Sequence, residues 1–157
     1  MLKVVINGID GAMGTILARS IAAAADMEVV AGITPTGADG AYLRPSDFTG
    51  EADVLLDFSH HDGTYALMEY CVGRGLPAVV CTTGQTEEEM DCIRKAAESI
   101  PVFKSANMSV GVAITAKAVR EIAAKFGGCE VEIVETGSGL PDERIDHRLQ
   151  NPELNHR

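Results

Sequence analysis

The sequence predicts a doubly wound, mostly parallel α/β sheet, and three observations carry that expectation. Short apolar runs alternate with longer segments of helical periodicity from the first residues onward. The runs are too uniformly apolar for strands with one solvated face, as expected where helices cover both sides of a parallel sheet. The first run also leads through a glycine-rich turn straight into a helical segment.

Residues 2–7 read as the first strand, 13–25 as a helix and 28–33 as a second strand, a β-α-β opening. A strand at 53–58, a helix at about 62–72, a strand at 78–81 and a helix at 86–99 follow. Thr86 is suited to cap the last of these, and Glu87, Glu88 and Glu89 place negative charge at the positive end of its dipole. A strand at 102–104, a helix at 110–126 and a sixth strand at 130–135 continue the pattern. Residues 34–50 carry Pro35, Gly37, Gly40, Pro45 and Gly50 with few apolar residues and read as a loop, long for a compact domain. From Gly137-Ser138-Gly139, which looks like a flexible joint, the composition turns polar. The expected division is therefore one domain over 1–136 and a poorly ordered tail over 137–157.

With 23 acidic against 13 basic residues and a formal charge of -10, the chain lacks the clustered cations that phosphate backbones require, so nucleic acid is not an expected partner. No apolar stretch reaches the ~20 residues that span a bilayer, and the opening apolar run is too short for a signal-peptide core; a cytoplasmic protein is expected. Cys71, Cys81, Cys92 and Cys129 are widely spaced, without a C-x-x-C pair, and read as reduced thiols rather than metal ligands.

After the first strand comes Gly8-Ile9-Asp10-Gly11-Ala12-Met13-Gly14, glycines at G-x-x-G-x-x-G opening a helix. Gly8 permits the tight turn, Gly11 lets the backbone approach a pyrophosphate, and Gly14 allows close helix–strand packing, while the helix N-terminus offers unpaired N–H groups to an anion. A glycine turn that binds nothing is the bland alternative, but the strand–loop–helix placement favours a dinucleotide and a Rossmann-type domain. Two features weaken the site: Asp10 puts a carboxylate near the expected phosphates, and Ala12 supplies no positive charge. The second strand ends Ala31-Gly32-Ile33-Thr34, without the acid that would bond a ribose 2′-OH. Thr34 and Thr36 are the nearby hydroxyls, and the choice between NAD and NADP stays open.

Together with this loop, Val80-Cys81-Thr82-Thr83-Gly84 and Phe103-Lys104-Ser105-Ala106-Asn107-Met108-Ser109-Val110-Gly111-Val112 resemble the 4-hydroxy-tetrahydrodipicolinate reductase (dihydrodipicolinate reductase) family of lysine and diaminopimelate biosynthesis. Asp53-Val54-Leu55-Leu56-Asp57-Phe58-Ser59 and Val131-Glu132-Ile133-Val134-Glu135-Thr136 resemble further family segments in the same order. The glycine loop and the hydroxyl after the second strand give expected cofactor contacts at Gly8, Gly11, Ala12, Met13 and Thr34; the resemblance implies an oxidoreductase that takes NADP or NAD and adds Phe58, Ser59, Thr82, Thr83, Gly84, Ala106, Asn107 and Met108. Thr82, Thr83 and Gly84 would line the nicotinamide. The plainer alternative makes them a helix-capping turn and Phe58 a core residue.

The departures matter as much. Family members continue past the segment matching 131–136 with a paired-histidine motif, a nearby lysine and an Asp-Ala-Pro-Ser-Gly-Thr stretch, none of which follows Thr136 here. Cys81 stands where the family usually has a small residue. No catalytic residue and no metal ligand are therefore expected in the chain. His60-His61 reads as a solvated loop or adenine-side contact, Lys104 as a structural or solvent-facing cation, and His147 and His156 as part of the tail. The expectation is a nicotinamide-dinucleotide-binding domain without its substrate domain, inactive by itself, monomeric or weakly dimeric. A single-domain NAD(P)-binding sensor or regulatory module is the alternative, and an unrelated small oxidoreductase using His60 or His61 is a weaker third.

Overall fold

The structure, a computed structural model, describes residues 1–126. The chain forms two compact units, Met1–Asn107 and a second that begins at Met108. The first contains β1 (Leu2–Asn7), α1 (Ala12–Ala22), β2 (Met27–Ile33), β3 (Val54–Asp57), α2 (Thr64–Arg74), β4 (Ala78–Val80), α3 (Glu87–Ala96) and β5 (Val102–Lys104). All five strands pair in parallel in the order β2-β1-β3-β4-β5. In the second unit, α4 (Val110–Ala123) starts at Ser109, whose hydroxyl accepts the Val112 N–H at 3.4 Å. The sixth strand expected at 130–135, the domain boundary expected after Thr136 and the tail lie outside the described residues.

Strand alternation divides the core as two covered faces require. Val4 and Ile6 point to one side, packing with Ile21, Leu17 and Ala18 of α1. Val5 points to the other, where Leu55, Val80, Leu67, Met68 and Cys71 of α2, and Ile93 and Ala96 of α3, close a larger cluster. Each fully buried Val, Leu, Ile or Met among them contributes about 1.5–3 kcal/mol, so the doubly wound arrangement follows from strands apolar on both faces.

Helix limits shift by a few residues from the expectation at α1, α2 and α3, while β1 and β5 fall where expected. The segment over 34–50 is more ordered than a plain loop. It carries short 3-10 turns at Ala38–Gly40 and Pro45–Asp47, and Tyr42 forms a parallel bridge to Ile33 at the edge of the sheet. Phe48, one of its few apolar residues, is buried. Arg74 of α2 donates to the carbonyls of Phe48 and Gly50 and lies 5.6 Å and 5.3 Å from the Phe48 and Tyr70 ring centroids. One cation thereby fastens the segment through hydrogen bonds and ring faces together.

Because β1 is followed by β2 on one side and β3 on the other, strand order reverses between β1 and β3. That reversal opens a crevice beyond the C-terminal ends of the strands, the place where open α/β sheets take their ligands.

Candidate functional site

At the head of the crevice β1 turns at Gly8, with φ of +85°, a conformation that side chains other than glycine rarely adopt. A Cβ there would lie 2.4 Å from the Phe58 carbonyl oxygen. Gly14, in the first turn of α1, is equally constrained: its Cβ would stand 2.0 Å from the Gly8 carbonyl oxygen. These two glycines let the turn, the helix and the end of β3 come together. Gly11, the residue before α1, has an ordinary extended backbone and lies exposed. It offers no capping side chain and its own N–H donates to the Gly8 carbonyl at 3.1 Å, while the first turn of α1 has no acidic residue, so no side-chain oxygen competes with an anion for the N–H groups that open the helix. Ala12 and Met13 are exposed beside it.

Asp10 does not point at that helix end as the sequence suggests. Its Oδ2 accepts the Thr34 hydroxyl at 2.6 Å and the Thr36 hydroxyl at 3.0 Å, which directs it to the C-terminal end of β2. These bonds, Thr34 first, hold the Asp10 carboxyl below its ordinary pKa. Thr34 is fully buried, so its role is to fix Asp10 rather than to present a hydroxyl to solvent.

Deeper in the crevice Ser59 and Thr82, both expected from the sequence, join a polar cluster whose other members, Asp57 and Asn7, sequence reasoning missed. Asp57, buried at the end of β3, accepts the Asn7 amide at 2.9 Å, the Ser59 hydroxyl at 2.6 Å and the Thr82 hydroxyl at 2.8 Å. Thr82 in turn accepts the Ser59 N–H at 3.2 Å. Charge-assisted bonds of this kind offset the desolvation of a buried carboxylate, and here they join the ends of β1, β3 and β4. The available signal was an aspartate closing an otherwise apolar strand, since a carboxylate in that setting requires several donors.

Beyond β4, Thr83 and Gly84 are exposed, and Gly84 has φ of +84°. A Cβ on Gly84 would come within 3.3 Å of the His61 ring. His61 Nδ1 is 3.1 Å from Glu89 Oε2, and the same oxygen accepts the Thr86 N–H at 2.8 Å while Thr86 caps α3. The capping box is the one the Thr86-Glu89 spacing encodes; its contact with His61 is tertiary. The Nε2 of Gln85, next to Gly84, is buried and lacks an acceptor among the described residues, which leaves a donor at this turn. Lys104 donates to the Thr82 carbonyl at 2.6 Å, a structural bond consistent with the reading of this lysine as a structural cation. Burial and then the Asp57 carboxylate push the Cys81 thiol up to about 11.

His60, His61 and Asp62 present ligand atoms within 4.8 Å of one another, a donor set able to meet a divalent cation. Phe58 is half-buried and its N–H donates to the Asn7 carbonyl; Ala106 and Asn107 are exposed just past β5. Gly8, Gly11, Ala12, Met13, Thr34, Phe58, Ser59, Thr82, Thr83, Gly84, Ala106 and Asn107 thus stand beyond the C-terminal ends of parallel strands or at the start of α1. Met108 opens the second unit. Among the described residues no helix is long and apolar enough to cross a membrane.

A switch-point crevice headed by a glycine turn and an uncapped helix defines a Rossmann-type α/β domain. The chain belongs to the family described as dihydrodipicolinate reductase, N-terminus, whose model matches residues 2–108. It is 36% identical over 138 residues to a 4-hydroxy-tetrahydrodipicolinate reductase of Caldanaerobacter subterraneus, covering 86% of this chain and 55% of the relative. It is 33% identical over 140 residues to that of Clostridium tetani, with the same coverage. The chain thus spans about half the length of the curated relatives it matches. In fold it is similar to a dipicolinate-bound dihydrodipicolinate reductase from Paenisporosarcina sp. TG-14, with a TM-score of 0.68 at 22% identity over 79% of this chain and 54% of the other. An oxidoreductase from Agrobacterium radiobacter in complex with NAD+, L-tartaric acid and magnesium superposes with a TM-score of 0.57 at 19% identity, over 78% and 41% of the two chains.

Proposed function

We propose that this chain carries the nicotinamide-dinucleotide site of a 4-hydroxy-tetrahydrodipicolinate reductase and takes NADH or NADPH. Family membership supports the reaction class, and one observation carries the site: the contact of Gly14 with the Gly8 carbonyl, which a Cβ would close at 2.0 Å, brings the bare N-terminus of α1 to the β1–β3 crevice. The residues fit the group. The backbone N–H groups of Ala12 and Met13 would receive the pyrophosphate, with no side chain at Gly11 to block its approach. Phe58, Ser59, Thr82, Thr83 and Gly84 would flank the nicotinamide, which when reduced supplies a hydride. The Asp57 cluster orients Ser59 and Thr82, and Lys104 fixes the Thr82 carbonyl, so that wall of the site is set before a ligand arrives.

Calorimetric titration of the 157-residue chain with NADH and with NADPH tests the reading. Saturable one-site binding of at least one of them, lost in Gly11→Val, is expected; no saturable heat with either overturns it.

A further inference from the structure

We propose that Asp10 sets cofactor choice, accepting the adenosine-ribose hydroxyls and repelling a 2′-phosphate, so that the site prefers NADH to NADPH. The inference rests on the reading of residues 8–14 as a dinucleotide site.

In dinucleotide-binding folds of this type the adenosine ribose lies over the end of the second strand. An acid there bonds the 2′-OH of NAD, whereas an arginine accommodates the 2′-phosphate of NADP. Here β2 ends in Ile33 and is followed by Thr34, Pro35 and Thr36, with no acid in that position. The fold brings one from the glycine turn instead. Thr34 and Thr36 both donate to Asp10 Oδ2, and burial of Thr34 fixes the location of that anchor. Asp10 itself remains exposed. A carboxylate has about four lone-pair sites, so two hydroxyls leave acceptor capacity for a ribose diol.

Donation from Thr34 and Thr36 also keeps the carboxyl ionised through the neutral range. A 2′-phosphate would bring a second concentration of negative charge to the same place. Two like unit charges about 4 Å apart lower an affinity about fivefold even at the dielectric constant of water, and the phosphate carries more than one. The groups that hydrogen-bond Asp10 are neutral hydroxyls, and Ala12 and Met13 beside it in the turn bring no cation.

The test is a parallel titration of the full 157-residue chain with NADH and NADPH, with ADP-ribose and its 2′-phosphorylated form used to displace NADH. NADH is expected to bind at least about tenfold more tightly than NADPH, and ADP-ribose to displace it better than the 2′-phosphate form by a similar factor. In Asp10→Asn, which keeps an oxygen for Thr34 and Thr36, the gap should shrink to about threefold or less, mainly through tighter NADPH. In the parent chain, raising salt from about 0.05 M to about 0.5 M should narrow the same gap by screening, a readout that needs no variant. Equal or tighter NADPH binding by the parent overturns the proposal, as does a gap that neither salt nor a folded Asp10→Asn changes. Binding of neither nucleotide overturns the dinucleotide reading itself.

Discussion

The Thr82 hydroxyl donates to the Asp57 carboxylate at 2.8 Å, tying the end of β4 to that of β3 in the floor of the crevice. Asn7 and Ser59 donate to the same group, so three strand ends share one buried acceptor. Asp57→Ala removes that acceptor and leaves buried donors unpaired. It should cost about 2–4 kcal/mol in stability, measured by urea denaturation, because the buried Asn7 and Thr82 donors lose this partner without regaining water. Thr82→Val, which keeps the shape but removes the donor to Asp57 and the acceptor of the Ser59 N–H, should cost about 1–2 kcal/mol. A loss below about 0.5 kcal/mol for Asp57→Ala would show that the cluster does not support the fold.

The glycines of the turn should separate by role. Gly8→Ala places a Cβ 2.4 Å from the Phe58 carbonyl oxygen at a positive φ and should destabilise by at least about 2 kcal/mol. Gly11→Ala meets only the Gly8 carbonyl, at 3.2 Å, from an extended backbone. Its melting temperature should stay within about 4 °C of the parent while nucleotide affinity falls about tenfold or more, since the added methyl meets the pyrophosphate. Equal losses of stability in the two variants would contradict this division.

Glu89 supplies a pH dependence. Its carboxyl lies below the ordinary value of 4.5, through the Thr86 N–H first and then His61, working against its own desolvation. A depressed carboxylate contributes stability that is complete above the unfolded-state pKa and is lost as the pH falls through the lower folded-state value. The urea midpoint should therefore drop as the pH is lowered from about 5.5 to about 3, and Glu89→Gln should flatten that drop while retaining an oxygen for the Thr86 N–H. Parallel curves for parent and variant would exclude Glu89 as a contributor.

Arg74 should prove structural. Arg74→Ala loses bonds to the Phe48 and Gly50 carbonyls and contacts with two aromatic rings. A cost of about 1–3 kcal/mol is expected, with faster hydrogen exchange at the Phe48 amide, which the Pro45 carbonyl accepts at 3.2 Å. Unchanged exchange there would show that the segment is held without Arg74, by the burial of Phe48 and the Tyr70 hydroxyl that donates to its carbonyl.

Local chemistry determined most of the first unit. Apolar runs such as Leu2–Asn7 had to be strands buried on both faces, Thr86 and Glu89 carried their own capping box, and the spacing of Gly8, Gly11 and Gly14 placed a tight turn ahead of a helix. These signals act within a few residues, so they can be read along the chain. Other features depended on strands brought side by side. Asn7 and Asp57 are 50 residues apart, and Asp10 and Thr34 are 24 apart. Neither sequence spacing nor residue type says that Asp10 faces β2 rather than the helix end; the parallel register of β1 with β2 does, by placing Asn7 opposite Ile33 and so the glycine turn beside the threonines that receive its carboxylate. The tertiary structure decided where the charges of the crevice stand, because a hydrogen bond requires donor and acceptor within about 3 Å and only packing fixes distances on that scale.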